Sequence, residues 1–410
     1  MTRPPARGRR TRIPQGAGSA YVTRALPWYA MLDDEALVRI ETQALRLLER
    51  TGIEFRDDPE ALRRWRAAGA DVSGTRVRTA PELVRALLAS APEEFTQVAR
   101  NPARSVRIGG SHAVFAPVYG SPFVRDLEGG RRYGTLEDFR RLVQLTHQLS
   151  PLHHSGFVTC EPCDVPVSKR HLDMLLAHMT LTDKPHLGAI TERSRAEDSV
   201  AMARLLHGAE TFDRHCVILG NVNTNSPLLV DKVVTQAAEV YCGAGQGLIA
   251  VPFILSGAMG PVTTAAAIAQ ALAEAMIVGA YTQLVRPGAP FILGNFLSSM
   301  NLRSGAPTFG MPEPLMSNLV IGQLARRLKL PLRCGGALTA SKLADFQAAA
   351  ESADSMLSTV LGGANYVLHA AGWLEGGLTT GYEKMVLDAD RLGAYEVVLR
   401  GFATDEDALG

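Results

Sequence analysis

A chain of 410 residues with 46% hydrophobic and 20% charged residues is long enough, and apolar enough, for a large domain with extensions. Its formal net charge of +1 gives no overall attraction to nucleic acid. Five cysteines, an odd number scattered through the chain, argue against a disulfide framework and for a reduced, cytoplasmic setting.

Residues 1–30 begin with closely spaced arginines among Pro, Gly and Ser, and no acid occurs before Asp33. Such a segment cannot bury a core and is expected to be a disordered basic tail. No apolar run follows the arginines, so no secretory signal is read. Residues 31–110 are expected to form an N-terminal helical cap with short strands. Helical spacing covers 33–50, ended by Thr51-Gly52, then 59–68 and 81–89, the last two opening on proline. Short extended pieces follow at 95–99 and 105–108.

Residues 111–410 are more regular. Strand-like apolar runs occur at 113–118, 154–159, 185–190, 216–220, 247–255, 290–293, 331–334 and 366–368. Helical segments separate them at 135–149, 168–179, 195–206, 228–242, 263–285, 315–328 and 342–361, and 382–400 follows the last. Thr135-x-x-Asp138 reads as a capping box. The most apolar stretches, near 247–258 and 265–280, are interrupted by Gly, Pro or polar residues and read as core, not as membrane spans. Alternation of this kind predicts a parallel sheet. Eight repeats predict a closed (β/α)8 TIM barrel with an N-terminal helical extension, the alternative being an open doubly wound sheet.

A barrel presents its chemistry at the C-terminal strand ends. Those ends supply Tyr119, Glu161 with Asp164, Thr191, Asn221, Asn223 and Asn225, Ser256, Asn295 with Ser298 and Ser299, Cys334 and His369, with Phe253, Phe296 and Trp373 nearby. The set is polar and mostly uncharged, without the clustered Lys and Arg of a phosphate site. His369 ends the last strand in Asn365-Tyr-Val-Leu-His-Ala-Ala-Gly-Trp-Leu-Glu375 and is the candidate catalytic residue; a core histidine satisfied by backbone is the bland alternative. Tyr119, Asn221, Asn223, Ser256, Asn295 and Trp373 are the candidate substrate-binding residues. The alternation of Asn221, Asn223 and Asn225 points them to one side if the segment is extended, whereas Asn and Pro in 221–227 also suit a plain turn. Trp373 and Tyr119 suit an aromatic wall for a quaternary ammonium. Cys160-x-x-Cys163 has zinc-type spacing with His153, His154 and His171 close in sequence, but lacks a second pair. No metal ligand is assigned, and a metal-dependent lyase or hydrolase remains an alternative reading.

The segment Gly363-Ala-Asn-Tyr-Val-Leu-His-Ala-Ala-Gly-Trp-Leu-Glu-Gly376 resembles the late barrel segment of the trimethylamine methyltransferase family. Residues 45–52 followed by Pro59-Glu-Ala-Leu, Ala99-Arg-Asn-Pro102, Gly260-Pro-Val-Thr263, Gln283-Leu-Val-Arg-Pro-Gly-Ala-Pro290 and Gly335-Gly-Ala-Leu-Thr339 are similar to it in matching order. The resemblance implies a methyltransferase that moves a methyl group from a tertiary or quaternary amine to Co(I) of a corrinoid (cobalamin) on a separate cognate corrinoid protein, with no cofactor bound covalently. Members acting on trimethylamine carry a pyrrolysine. Only standard residues occur here, so the chain resembles the non-pyrrolysine branch, whose substrates include glycine betaine. The family continues past this point with a Gly-Pro-Gly-Gly-His-like segment, so the expectation is a barrel domain shortened at its C-terminus. An inactive shortened relative that only binds ligand or corrinoid protein is the alternative. No nucleic-acid or membrane partner is expected, and oligomeric state is left open, a homo-oligomer included.

Overall fold

The structure is a computed structural model that describes residues 19–410; residues 1–18 of the expected basic tail lie outside the described residues. The central sheet follows a nine-strand path in the order Leu187–Gly188, Leu219–Asn223, Gly247–Val251, Phe291–Gly294, Leu332–Gly335, Tyr366–Leu368, His112–Phe115, Val106–Gly109, Glu94–Gln97. From Leu187–Gly188 round to His112–Phe115 every pairing is parallel, and the last three strands are antiparallel.

The expected closed TIM barrel is not what forms. The sheet curls through 321° and stays open, its edges 10 Å apart. The missing piece is the predicted strand at 154–159, and its own side chains explain why. His153 Nδ1 accepts the Phe115 N–H at 3.1 Å, and His154 Nδ1 accepts the Gly156 N–H at 2.9 Å. Backbone donors that a ladder would use are thus satisfied by imidazoles. Gly156, at φ +70°, also leaves the extended region. The segment's backbone meets its neighbours through His154 N to Phe115 O, Ser155 N to Pro185 O, Leu187 N to Gly156 O and Gly120 N to Val158 O, too irregular a set to make a ladder. Gln97 Nε2 donates to His186 O and Val217 O, at 2.9 and 3.2 Å, beside the open edge.

Other expected strands change length for local reasons. The run 247–255 divides at Pro252 into Gly247–Val251 and Phe253–Ser256. Asn295 similarly separates Phe291–Gly294 from Phe296–Ser299, and the two outer pieces pair in parallel beyond the main sheet. A hairpin not anticipated from sequence, Phe123–Asp126 with Gly130–Tyr133, joins Thr379–Gly381 and Trp373–Leu374 in a four-stranded sheet.

The helices carry the expected caps. Thr135 and Asp138 form the capping box of Leu136–Gln148, and Asp33 caps Asp34–Arg46 through Ala36 N. A π-turn at Leu47–Thr51 ends at Gly52, φ +70°, where a Cβ would meet Val77 O at 2.5 Å. Thr264–Val285 is the one helix among the described residues long and apolar enough to cross a membrane. As 83% of its apolar window is buried, it is a core helix of this fold. Before residue 30, Val22–Thr23 pairs with His112–Phe115, and Trp28 lies between the Arg24 and Arg326 guanidiniums.

Candidate functional site

Tyr366–Leu368 is a fully buried apolar strand that ends at His369 in the left-handed region, φ +60°. That conformation is uncommon for a residue with a Cβ and marks a position fixed by its surroundings. Here His369 N donates to Pro117 O at 3.1 Å, and Ala337 N donates to His369 O at 2.9 Å. The imidazole is set by three further contacts. Nδ1 accepts the Tyr119 N–H at 3.2 Å, the ring stacks on Phe296 at 5.3 Å, and it meets Trp373 edge-on at 4.5 Å. Burial, reinforced by the nearby Arg333 charge, holds its pKa well below the usual histidine value. The ring is therefore neutral near pH 7. Because Nδ1 accepts a hydrogen bond, the proton sits on Nε2, which makes no hydrogen bond with the described residues.

Arg333 was not anticipated as a site residue. It lies within Leu332–Gly335, in register with Tyr366 on the neighbouring strand, and is 2% exposed. Its Nη1 donates to Asn295 O at 3.2 Å, and the guanidinium centre lies 5.1 Å from the Phe296 ring centroid. Its Nε is buried without a hydrogen-bond partner, and no carboxylate among the described residues pairs with it. Burial lowers its pKa to about 10, so it stays cationic. An ion buried without a counterion carries a penalty of several kcal/mol, a cost that a bound anion would offset.

Phe296 joins these groups to a wider aromatic cluster. It stacks on Phe309 at 5.4 Å and meets Trp373 at 5.9 Å and Phe253 at 5.5 Å. The Trp373 indole N–H donates to Thr339 O at 3.0 Å, which leaves its ring faces apolar. The strand ends thus bring together a cation, a neutral N–H donor and several π faces.

The sequence matches the family described as trimethylamine methyltransferase (MTTB) over residues 3–410. The chain belongs to that family. It is 36% identical over 385 residues to the glycine betaine methyltransferase of Desulfitobacterium hafniense (strain Y51), covering 94% of this chain and 80% of the relative. It is 26% identical to the proline betaine:corrinoid methyltransferase of Eubacterium limosum, covering 85% and 73%. Among solved structures, the monomethylamine methyltransferase of Methanosarcina barkeri (MtmB) superimposes with a TM-score of 0.57 at 11% identity over 92% of this chain and 83% of that one, a likeness of fold.

The remaining sequence-derived candidates fall into different places in this family member. Tyr119 is half-buried and touches His369 through its backbone N–H. Asn221 and Ser256 each bury a side-chain oxygen that has no partner. Asn223 is exposed. Asn295 directs Nδ2 to Ser317 and Asn318 on helix Pro312–Arg327, at 3.1 and 2.9 Å. The asparagine-rich connection is a turn held by Glu274, which accepts from Thr224 Oγ1, Ser226 Oγ, Leu228 N and Gln270 Nε2 at 2.5–2.9 Å.

Cys160 and Cys163 are free thiols. The histidines close to them in sequence are engaged elsewhere: His153 with Glu396, His154 with Gln97 and Tyr366, His171 with Asp198. Among the described residues no group of three His, Cys, Asp or Glu side chains could hold a metal.

Proposed function

We propose that this chain takes a methyl group from a small carboxylated quaternary ammonium, a glycine betaine-like zwitterion, and passes it to Co(I) of a corrinoid on a separate protein. The observation that carries the proposal is Arg333, a buried guanidinium without an anion, one aromatic ring away from His369. A betaine carries both complements on one small molecule. Its carboxylate suits Arg333 and the Nε2–H of His369, and its trimethylammonium head suits the faces of Phe296 and Trp373. A simple amine cation would meet Arg333 as a like charge. The glycine betaine and proline betaine methyltransferases among its relatives support this choice.

The residues of this chain fit the substrate half of such a transfer. The orphaned Nε of Arg333 suits an anion, while the neutral His369 ring adds no second positive charge beside the ammonium. The exposed apolar side chains Leu127, Val262 and Leu302, on connections that leave the strand ends, would receive a corrinoid protein. When bound, the reduced corrinoid supplies a strong nucleophile, and a quaternary ammonium releases a neutral amine without needing a proton. The work left to this chain is positioning: Arg333 and His369 fix the carboxylate, and the aromatic faces fix the methyl groups and exclude water. Asn221 Oδ1 and Ser256 Oγ remain available as further polar contacts. Five free cysteines support a reducing, cytoplasmic setting.

The test is methylation of cob(I)alamin by the purified chain with glycine betaine, choline and trimethylamine in parallel. Turnover with the betaine and much less with the two cations is expected. Equal turnover with choline refutes carboxylate recognition.

A further inference from the structure

The turn that carries His369 and Trp373 is held from behind by a circuit of hydrogen bonds that no step above uses. The His369 carbonyl accepts from Ala337 N at 2.9 Å, and the Ala337 carbonyl accepts the Ser352 hydroxyl at 3.1 Å. Ser352 Oγ accepts from Lys384 Nζ at 2.9 Å, and Lys384 pairs with Asp388, 2.6 Å to Oδ2. Asp388 Oδ2 then accepts the Gly372 N–H at 2.9 Å. The circuit leaves the turn at His369 and re-enters it at Gly372. Helix Phe346–Gly362 reinforces it: Ser355 and Thr359 donate to the carbonyls of Gly336 and Gly335, at 2.6 and 2.5 Å.

Lys384 and Asp388 are 3% and 8% exposed. Such a pair is a weak source of stability, because desolvation offsets most of its attraction. On its other side the turn is held by the chain that continues the neighbouring strand His112–Phe115, with Ala370 N donating to Ala116 O and Val118 N to Ala371 O. A cavity of about 330 Å³ lies behind it, lined by Ala337, Ala370, Ser352, Lys384 and Asp388 among others. Gly372 sits at φ +93°, where a Cβ would press on Met385 Cε at 3.1 Å, so its backbone N–H is the handle available to the circuit.

We propose that Lys384 and Asp388 are a positioning pair for methyl transfer: through Gly372 and Ser352 they orient the His369–Trp373 turn and thereby the imidazole and indole faces that meet the substrate. The inference rests on the proposed betaine reaction. Its test compares the full chain with Asp388→Asn, Asp388→Ala and the double variant Lys384→Met/Asp388→Leu, reading kcat and KM for glycine betaine with cob(I)alamin, urea unfolding, and the near-ultraviolet circular dichroism of the tryptophans. The double variant sheds the cost of burying the pair but strands the Gly372 N–H, so it is expected to fold with stability near that of wild type, to lose about tenfold to hundredfold in kcat and to change the tryptophan signal. Wild-type kcat in a folded double variant overturns the proposal. If the double variant does not fold, the single variants decide. Of these, only Asp388→Asn keeps an acceptor for Gly372, so it must be about tenfold more active than Asp388→Ala, and equal activity overturns the proposal. If wild type itself transfers no methyl group from a betaine, the proposed function fails. The tryptophan signal then judges the circuit alone, a change supporting it and none refuting it.

Discussion

Arg333→Met separates binding from stability and so tests the proposed function most directly. Methionine replaces the guanidinium with a flexible apolar chain that fills much of the same space. On the stability side, the variant loses one charged hydrogen bond to Asn295 O, about 1.5–3 kcal/mol, and the stacking on Phe296, about 0.5–2 kcal/mol. It also sheds the several kcal/mol of burying a cation without a counterion. These terms nearly cancel, so stability is expected to stay within about 2 kcal/mol of wild type, unlike the about 3–5 kcal/mol lost on truncating a large core side chain.

Binding behaves differently, because the ligand's carboxylate would be left buried without a counter-charge, held by the His369 N–H alone. Removing one partner of a buried, hydrogen-bonded charge pair costs about 2–5 kcal/mol, which is about thirtyfold to several thousandfold in affinity. The assays are titration calorimetry with glycine betaine and thermal unfolding with and without it. Wild type should gain roughly 2.7 kcal/mol of stability at a ligand concentration near one hundred times Kd, and the variant should gain almost nothing at that concentration. A variant that binds betaine within about threefold of wild type, less than 1 kcal/mol, refutes the role given to Arg333. So does one that unfolds like a core lesion, since the guanidinium would then be a structural group.

Other substitutions probe the neighbouring groups. His369→Ala is expected to abolish cob(I)alamin methylation by a quaternary amine in a chain that still folds, and unchanged turnover would remove the histidine from the mechanism. Glu274→Ala leaves four donors around the 224–228 turn without their acceptor; urea unfolding should show a loss of about 3 kcal/mol or more, and a loss below about 1 kcal/mol would mean that water replaces it readily. Burial lowers the pKa values of His153, His154, His178 and His186, His178 to about 3. In the unfolded chain these groups titrate near 6.5. The unfolded state thus binds more protons below that pH, and stability that is complete above about 6.5 is lost as the pH falls. Melting temperature measured from pH 7 to pH 4 should drop steadily, and a flat profile would contradict the neutral, buried state of these rings.

What could be read in the sequence was periodicity. The alternation of strands and helices, the Thr135 capping box and the placement of His369 at a strand end all follow from local pattern, and the structure retains each of them. Closure of the sheet was not local. It failed at 154–159 because His153 and His154 hydrogen-bond to backbone N–H groups, a competition that apolar content does not reveal. The hairpin Phe123–Asp126 with Gly130–Tyr133 escaped because its strands are short and rich in charge. Arg333 had a usable signal. It interrupts the apolar run Pro331-Leu-Arg-Cys, and a charge inside a buried strand needs a partner. Glu274 gives the same signal in the apolar helix Thr264–Val285, and there the partners are the turn donors. Arg333 differs in that no anion among the described residues answers it.

The open sheet and the site are compatible because they lie on different parts of the curl. The strands around the site, Phe291–Gly294, Leu332–Gly335, Tyr366–Leu368 and His112–Phe115, are consecutive neighbours with unbroken parallel pairing. The register Arg333 to Tyr366, and Gly335 to Leu368, fixes the height of the guanidinium relative to the His369 turn. Phe296 follows directly from the neighbouring strand and reaches both. The edges of the curl are instead at Leu187–Gly188 and Glu94–Gln97, where Gln97 Nε2 donates to the His186 and Val217 carbonyls and His186 Nδ1 to the Leu187 carbonyl. Opening the sheet therefore relaxes geometry at its edges, and the ladder that sets the Arg333–Phe296–His369 spacing meets that region through His154, which bonds to both Gln97 and the Tyr366 hydroxyl. A destabilising change at the gap, such as Gln97→Ala, should lower the melting temperature while leaving KM for betaine unchanged. A coupled rise in KM would show that the two sides of the curl are not mechanically separate.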